Sequence, residues 1–215
     1  TSVFGGDLVV SGTSYAVEGI SGSYVETGHI ETNATEFHLA YSDVKYLVFR
    51  GKGTVTACEF DGNDQGGIAV DVHGAGTRLV IRNNLIHDYS LRPNTPTTII
   101  EQCIGVRVRD GAKADVLNNV ITIISFRPDS GGCSQTDSGI GVYVKEDSRA
   151  TILGNYISWC ETHGSNNTRG DRLVYAPLNT VLRHNALRSF HPSYVDHNLV
   201  NGGVTPVDCI DPEPK

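Results

Sequence analysis

Apolar and polar residues alternate along Ile68-Ala69-Val70-Asp71-Val72-His73. The same alternation returns in Ile104-Gly105-Val106-Arg107-Val108-Arg109 and in Ile140-Gly141-Val142-Tyr143-Val144-Lys145. A period of two residues is the pattern of a strand with one buried face, and it predicts Ile68, Val70 and Val72, with their counterparts, pointing inward. Each stretch is followed by a second apolar phrase: Ile81-Arg82-Asn83-Asn84-Leu85-Ile86, Leu117-Asn118-Asn119-Val120-Ile121 and Ile152-Leu153-Gly154-Asn155-Tyr156-Ile157. Corresponding isoleucines of the first phrase stand 36 residues apart, twice in succession. A fixed period of this size with two short strands per unit predicts an all-β solenoid of about five to seven coils. The partner of each strand lies one full period away and runs the same way, so the sheets are predicted to be parallel.

The rest of the chain fits around these units. Residues 1–53 carry short β patterns punctuated by Gly, Ser, Thr and Asn, and read as irregular opening coils. Residues 54–200 are the repeats, beginning at Thr54 to Phe60 with Cys58 in the asparagine position. A worn unit follows at Arg172 to Leu187, then a fragment, Val195 to Val200. Residues 201–215 read as an extended tail, rich in Pro and Asp. Asn84, Asn119, Asn155 and Asn185 fall at one corner, where stacked amides satisfy each other along the axis and offset the penalty of burying them.

The double phrase with its corner asparagine resembles the right-handed parallel β-helix repeats of the pectate-lyase-like superfamily, over roughly residues 54 to 190. The resemblance implies that the Gly-Ile-x-Val strands form the first sheet and that the asparagine marks the tight second turn. It further implies that the long segments His87 to Gln102, Thr122 to Ser138 and Ser158 to Asp171 leave from one corner beside the first sheet. Long loops on a rigid scaffold are usual places for function. The superfamily spans lyases, hydrolases, epimerases, tailspikes and non-enzymatic surface proteins, so the fold alone does not choose among them.

Composition narrows the field. With 24 acidic and 17 basic residues the net charge is −7, which argues against nucleic acid and anionic membranes. No apolar run reaches the roughly 20 residues that span a bilayer, and no stretch keeps a helical period. The absence of Met predicts a trimmed leader or a fragment. Five cysteines without CxxC spacing argue against zinc and for disulfides in a secreted or cell-surface protein, with buried thiols as the alternative. Cys103 pairs with Cys133 in one scheme, and Cys160 competes in another.

Candidate chemistry sits on the outward positions of the first sheet. One column is Asp71, Arg107 and Tyr143; the next is His73, Arg109 and Lys145. By resemblance to polysaccharide lyases, Arg107, Arg109, Tyr143 and Lys145 are candidates for β-elimination on an acidic polysaccharide, where a base takes a proton and a cation stabilises the charge. The same columns also read as ordinary surface ion pairs. Asp71, His73, His87 and His163 are candidates to line a glycan groove. Asp61 and Asp64, in a tight turn, are candidate calcium ligands; otherwise no cofactor is expected. The expected function is a secreted structural or adhesive protein that associates with copies of itself, Cys209 offering an intersubunit thiol, or binds polysaccharide. A carbohydrate-active lyase is the alternative.

Overall fold

The computed structural model describes residues 2–10, 14–18, 25–33, 35–91, 103–126, 139–163, 169–188, 200–201 and 205–210. Among these the chain is all-β and parallel strands dominate, in two sheets. No helix among them is long and apolar enough to cross a membrane. The smaller sheet has eight parallel strands: Ser14–Glu18, Glu36–Ala40, Lys52–Thr56, Arg78–Arg82, Lys113–Leu117, Arg149–Leu153, Val181–Arg183 and Pro206–Val207. Between consecutive members of this sheet the chain visits the larger, 13-stranded one. This arrangement is compatible with a parallel β-helix.

The larger sheet opens as three long parallel strands, Ser2–Val10, Val25–Thr32 and Ser42–Phe49, and forks at the third. Asp43 pairs with Glu59, while Leu47 to Phe49 pair with Val70 to Val72. One branch continues through Glu59–Asp61, Leu85–Leu91, Val120–Phe126, Tyr156–His163 and Ala186–Arg188. The other carries the Gly-Ile-x-Val strands Gly67–His73, Cys103–Arg109 and Ile140–Val144, then Arg169–Tyr175 of the worn unit and Val200–Asn201. Antiparallel pairing of Glu161 to His163 with Arg169 to Asp171 joins the branches again, so the sheet nearly closes. The segments expected as long loops therefore connect two halves of what the opening strands make in one piece. They start later than the sequence implies, because the strands run on to Leu91, Phe126 and His163. Residues 92–102, 127–138 and 164–168 lie outside the described residues, as does the fragment before Val200.

The 36-residue period is one circuit of the chain. Ile68 pairs with Ile104 and Ile104 with Ile140. Each middle unit nevertheless holds three strands where two were expected. The second phrase breaks at its asparagines, and the break has a local cause. The residue before the corner position takes a left-handed conformation in seven successive rungs: Tyr41, Ala57, Asn83, Asn118, Gly154, His184 and Asp208. Asn and Gly adopt that conformation at least cost, which accounts for the Asn-Asn and Gly-Asn pairs. The strand of the other sheet then begins at Ser42 itself in the first of these rungs and just after the corner residue in those of Cys58, Asn84, Asn119, Asn155 and Asn185. The tail joins in as well. Leu182 and Arg183 pair with Pro206 and Val207, and Ala186 bridges to Ile210, so residues 206–210 form a further rung.

A second corner recurs with the same period. Thr77, Ala112, Ser148 and Thr180 each donate their backbone N–H to the carbonyl three residues back, those of Gly74, Arg109, Lys145 and Pro177. The hydroxyls of Thr77 and Ser148 accept from the Gly51 and Gly111 N–H groups of the preceding rung. The Thr77 and Ser148 hydroxyls are thereby paired between turns.

The core corrects one expectation. Val70, Val72, Val106, Val108, Val142 and Val144 are in the main core, as the alternation predicts. Ile104 and Ile140 are not; they form a separate cluster with Tyr143, against which Ile68 and Tyr175 pack. The pairing skips Ala69, Gly105 and Gly141, and there the strand changes parity. Glycine is needed because a Cβ on Gly141 would lie 2.6 Å from the Leu173 carbonyl oxygen and 2.8 Å from Ile157 Cγ2. Gly141→Ala is expected to cost about 1–3 kcal/mol of unfolding free energy through overpacking. A urea titration that finds no loss would refute this close approach.

Candidate functional site

The outward face of the Gly-Ile-x-Val strands carries two groups of side chains. The first is centred on Asp71, which pairs with Arg107 across the strands. The Arg107 fork donates from Nε to Asp71 Oδ1 at 2.9 Å and from Nη2 to Oδ2 at 2.8 Å. Arg109 donates from Nε to Oδ1 at 3.1 Å and from Nη2 to Oδ2 at 2.9 Å, while its Nη1 reaches Asp110. Two forks thus close on one carboxylate that is only 4 % exposed. The surface ion pair expected between Asp71 and Arg107 is instead a buried one. Burial by itself raises the Asp71 pKa, but hydrogen bonds from Arg107 and Arg109 outweigh it and hold the carboxyl below its ordinary value. Arg109 is answered by Asp71 and Asp110. His73 is buried beside them and accepts from Arg50 Nε at 3.1 Å. Burial above all lowers its pKa and keeps the ring neutral.

The second group lies further along the same face. Tyr143 and Tyr175 pair across adjacent strands, ring edge to ring face, with centroids 5.4 Å apart. Lys145 Nζ lies 5.4 Å from the Tyr143 centroid. A cavity of about 790 Å³ opens here, lined by both tyrosines, Lys145 and the carboxylates of Asp110, Glu146 and Asp147. Pro177 and Leu178 form its apolar side. Of the four residues proposed for lyase chemistry, the structure brings Tyr143 and Lys145 together at the cavity and holds Arg107 and Arg109 on Asp71.

His87 lies elsewhere, on the other branch of the sheet. Its Nδ1 bonds Asp88 Oδ2 at 2.6 Å and its Nε2 bonds Glu59 Oε1 at 3.0 Å. Asp61 completes a group whose ligand atoms with His87 and Asp88 all lie within 4.8 Å of one another. Asp64 does not belong to it; the Asp64 N–H bonds the Asp88 carbonyl, and Asp61 Oδ1 accepts from Asn63 in its own turn. The sequence pointed to the Asp61 turn for a metal and to His87 for a glycan groove; only the strand register brings His87 and Asp88 beside Asp61. Burial alone would lower the His87 pKa; hydrogen bonds to Asp88 and Glu59 reverse this and raise it. A raised histidine pKa stabilises the fold below the unfolded value of 6.5, and that contribution is lost as pH rises through the folded value. His87→Gln is therefore expected to cost about 1 kcal/mol near pH 6 and progressively less above pH 7. Parallel urea titrations across that range check it, and a cost that grows with pH would contradict it. His163 ends the strand Tyr156–His163, and its side chain is outside the described residues.

The corner asparagines form one continuous row. Asn84 donates from Nδ2 to Asn119 Oδ1, Asn119 to Asn155 and Asn155 to Asn185, at 2.9–3.0 Å. Each acceptor oxygen also receives the backbone N–H of the preceding asparagine. Cysteines stand at both ends. The Cys58 N–H donates to Asn84 Oδ1, and Asn185 Nδ2 lies 3.8 Å from Cys209 Sγ. Burial pushes the Cys58 thiol pKa up to about 11, which keeps it protonated. No disulfide links Cys58, Cys103, Cys160 and Cys209 to one another, so the Cys103–Cys160 scheme is not formed; Cys133 lies outside the described residues.

Comparison with known protein families, with curated proteins and with solved structures finds no match for this chain.

Proposed function

We propose that the protein is a right-handed parallel β-helix of the pectate-lyase-like kind, secreted or held at a cell surface. There it serves as an adhesive scaffold that binds glycan on its Gly-Ile-x-Val face. One observation carries this reading: the cavity walled by Tyr143 and Tyr175 with Lys145 beside them. Aromatic rings offer flat apolar surface to the C–H faces of sugars. The rigid parallel strands beneath hold those rings at a fixed separation. β-Elimination would instead require cations turned toward a uronate, whereas both guanidinium forks of Arg107 and Arg109 close on Asp71. No metal or cofactor is part of the proposal.

Binding to a panel of soluble glycans, measured by calorimetry, tests it. At least one ligand is expected to lose about tenfold in affinity with Tyr175→Ala, while the melting curve stays cooperative. Absence of any glycan ligand would remove the proposal, and release of unsaturated uronates would replace it with a lyase. End-to-end association of copies is a second reading, favoured by Val207 and Ile210, which are exposed at the last strand pairings. Sedimentation at high concentration decides it, and a monomer would rule it out.

A further inference from the structure

We infer that the cavity beside Tyr143 and Tyr175 selects glycans bearing protonated amino groups, of the glucosamine-polymer type, over uronates. The inference rests on the glycan-binding reading above and adds the sign of the ligand's charge. Three carboxylates line the cavity, Asp110, Glu146 and Asp147, against one ammonium, Lys145. Asp110 is answered by Arg109 from outside the cavity. Glu146 and Asp147 line it beside Lys145, Asp147 Oδ1 accepting only from the neutral Ser148 hydroxyl, so the lining keeps an acidic balance where the ligand would lie.

A polyanion entering here meets two carboxylates with one lysine to answer them, on a chain whose net charge is −7. Both the local and the long-range fields oppose it. A sugar ammonium reverses each of these terms. It pairs with Glu146 or Asp147 at the rim, and the tyrosine rings favour cations over their faces. Lys145 already lies near the Tyr143 ring, so the same wall accepts a positive group in this structure. Glu146 and Asp147 occupy the exposed turn after Ile140–Val144, and their backbone is set by the Ser148 N–H bond to the Lys145 carbonyl. Asp147 Oδ1 also accepts from Ser148 Oγ at 2.9 Å, a bond that the amide oxygen of an asparagine keeps, so replacing both charges leaves the turn in place. A basic peptide shares the charge but not the flat C–H faces, and the apolar side made by Pro177 and Leu178, the latter 81 % exposed, suits a ring better than a flexible chain.

Calorimetry on the full chain at pH 6 with four ligands tests this: a glucosamine hexamer, its N-acetylated counterpart, a galacturonate hexamer and hexalysine. The glucosamine hexamer is expected to bind about tenfold more tightly than the acetylated one, and the gap is expected to shrink in high salt. Glu146→Gln combined with Asp147→Asn is expected to cut glucosamine affinity roughly tenfold and to leave the acetylated ligand within about twofold. Galacturonate binding as tightly as glucosamine would overturn the charge preference and leave the glycan reading standing. Hexalysine binding without glucosamine binding would overturn the inference in favour of a peptide site. If no saccharide binds, both readings fall together.

Discussion

Asn119→Ala is expected to lower the unfolding free energy by about 3–5 kcal/mol. The side chain is 1 % exposed and makes four hydrogen bonds. Its Oδ1 accepts from the Asn84 backbone N–H at 3.0 Å and from Asn84 Nδ2 at 2.9 Å. Its Nδ2 donates to the Ile81 carbonyl at 2.9 Å and to Asn155 Oδ1 at 3.0 Å. A methyl group deletes all four and strands buried partners on two neighbouring rungs. Each orphaned group costs about 1–3 kcal/mol, so even partial relaxation leaves a heavy penalty. Asn119→Asp should fare no better, because it loses the donors and buries a carboxyl. Asn83→Gly is the contrast. That residue is exposed and already left-handed, so the change is expected to stay within about 1 kcal/mol. Urea unfolding followed by far-ultraviolet circular dichroism measures all three, and a loss under about 1 kcal/mol for Asn119→Ala would deny the row its structural role.

Asp71→Ala is expected to cost about 3 kcal/mol, by leaving two guanidinium groups without their shared carboxylate in a mostly buried position. The low end of the range applies because the side chains of Arg107 and Arg109 keep 12 % and 27 % of their exposure. The cost is also pH-dependent, with a definite sign. The folded pKa lies below the unfolded 3.8, so the stabilisation is present above about pH 4 and is lost as pH falls through the folded value. The stability difference between the wild type and Asp71→Asn should therefore be flat from pH 5 to 7 and close below pH 4. A difference that widens in acid would show that the carboxyl is not ionised in the fold.

Much of the architecture was legible because it repeats. The 36-residue interval gave the register of Ile68, Ile104 and Ile140, and the corner asparagines gave the row that the hydrogen bonds now trace. The departures are local backbone events that leave little trace in hydropathy. Alternation placed Ile104 inward, yet the parity change at Gly105 turns it to the other face, and only the small residues Ala69, Gly105 and Gly141 hint at it. Asp88, Ile123 and Trp159 all take positive φ at equivalent places, and nothing in Ile or Trp announces a left-handed residue. The opening rungs were hidden because the circuit is shorter there: Glu36 pairs directly with Lys52, and the strand Ser42–Phe49 does the work of two. The site was only partly visible. Period two brought Asp71, Arg107 and Tyr143 into one column, but it could not show that Asp71 would gather Arg109 from the next column. It also could not show that the cavity would form around Tyr175, in the unit whose pattern is most worn.

The asparagine row runs one way. Every amide hands a proton donor to the rung after it and takes one from the rung before, so each interior member offers its successor what it received. Such a row can grow by copying. A duplicated stretch running from one corner asparagine to the next would enter with both its upper and lower bonds already matched, leaving Cys58 and Cys209 as terminators. Half a stretch would set a strand face against a corner and leave buried amides facing hydrocarbon. Length in this architecture is thus free to change in whole turns and closed to change in fractions of one.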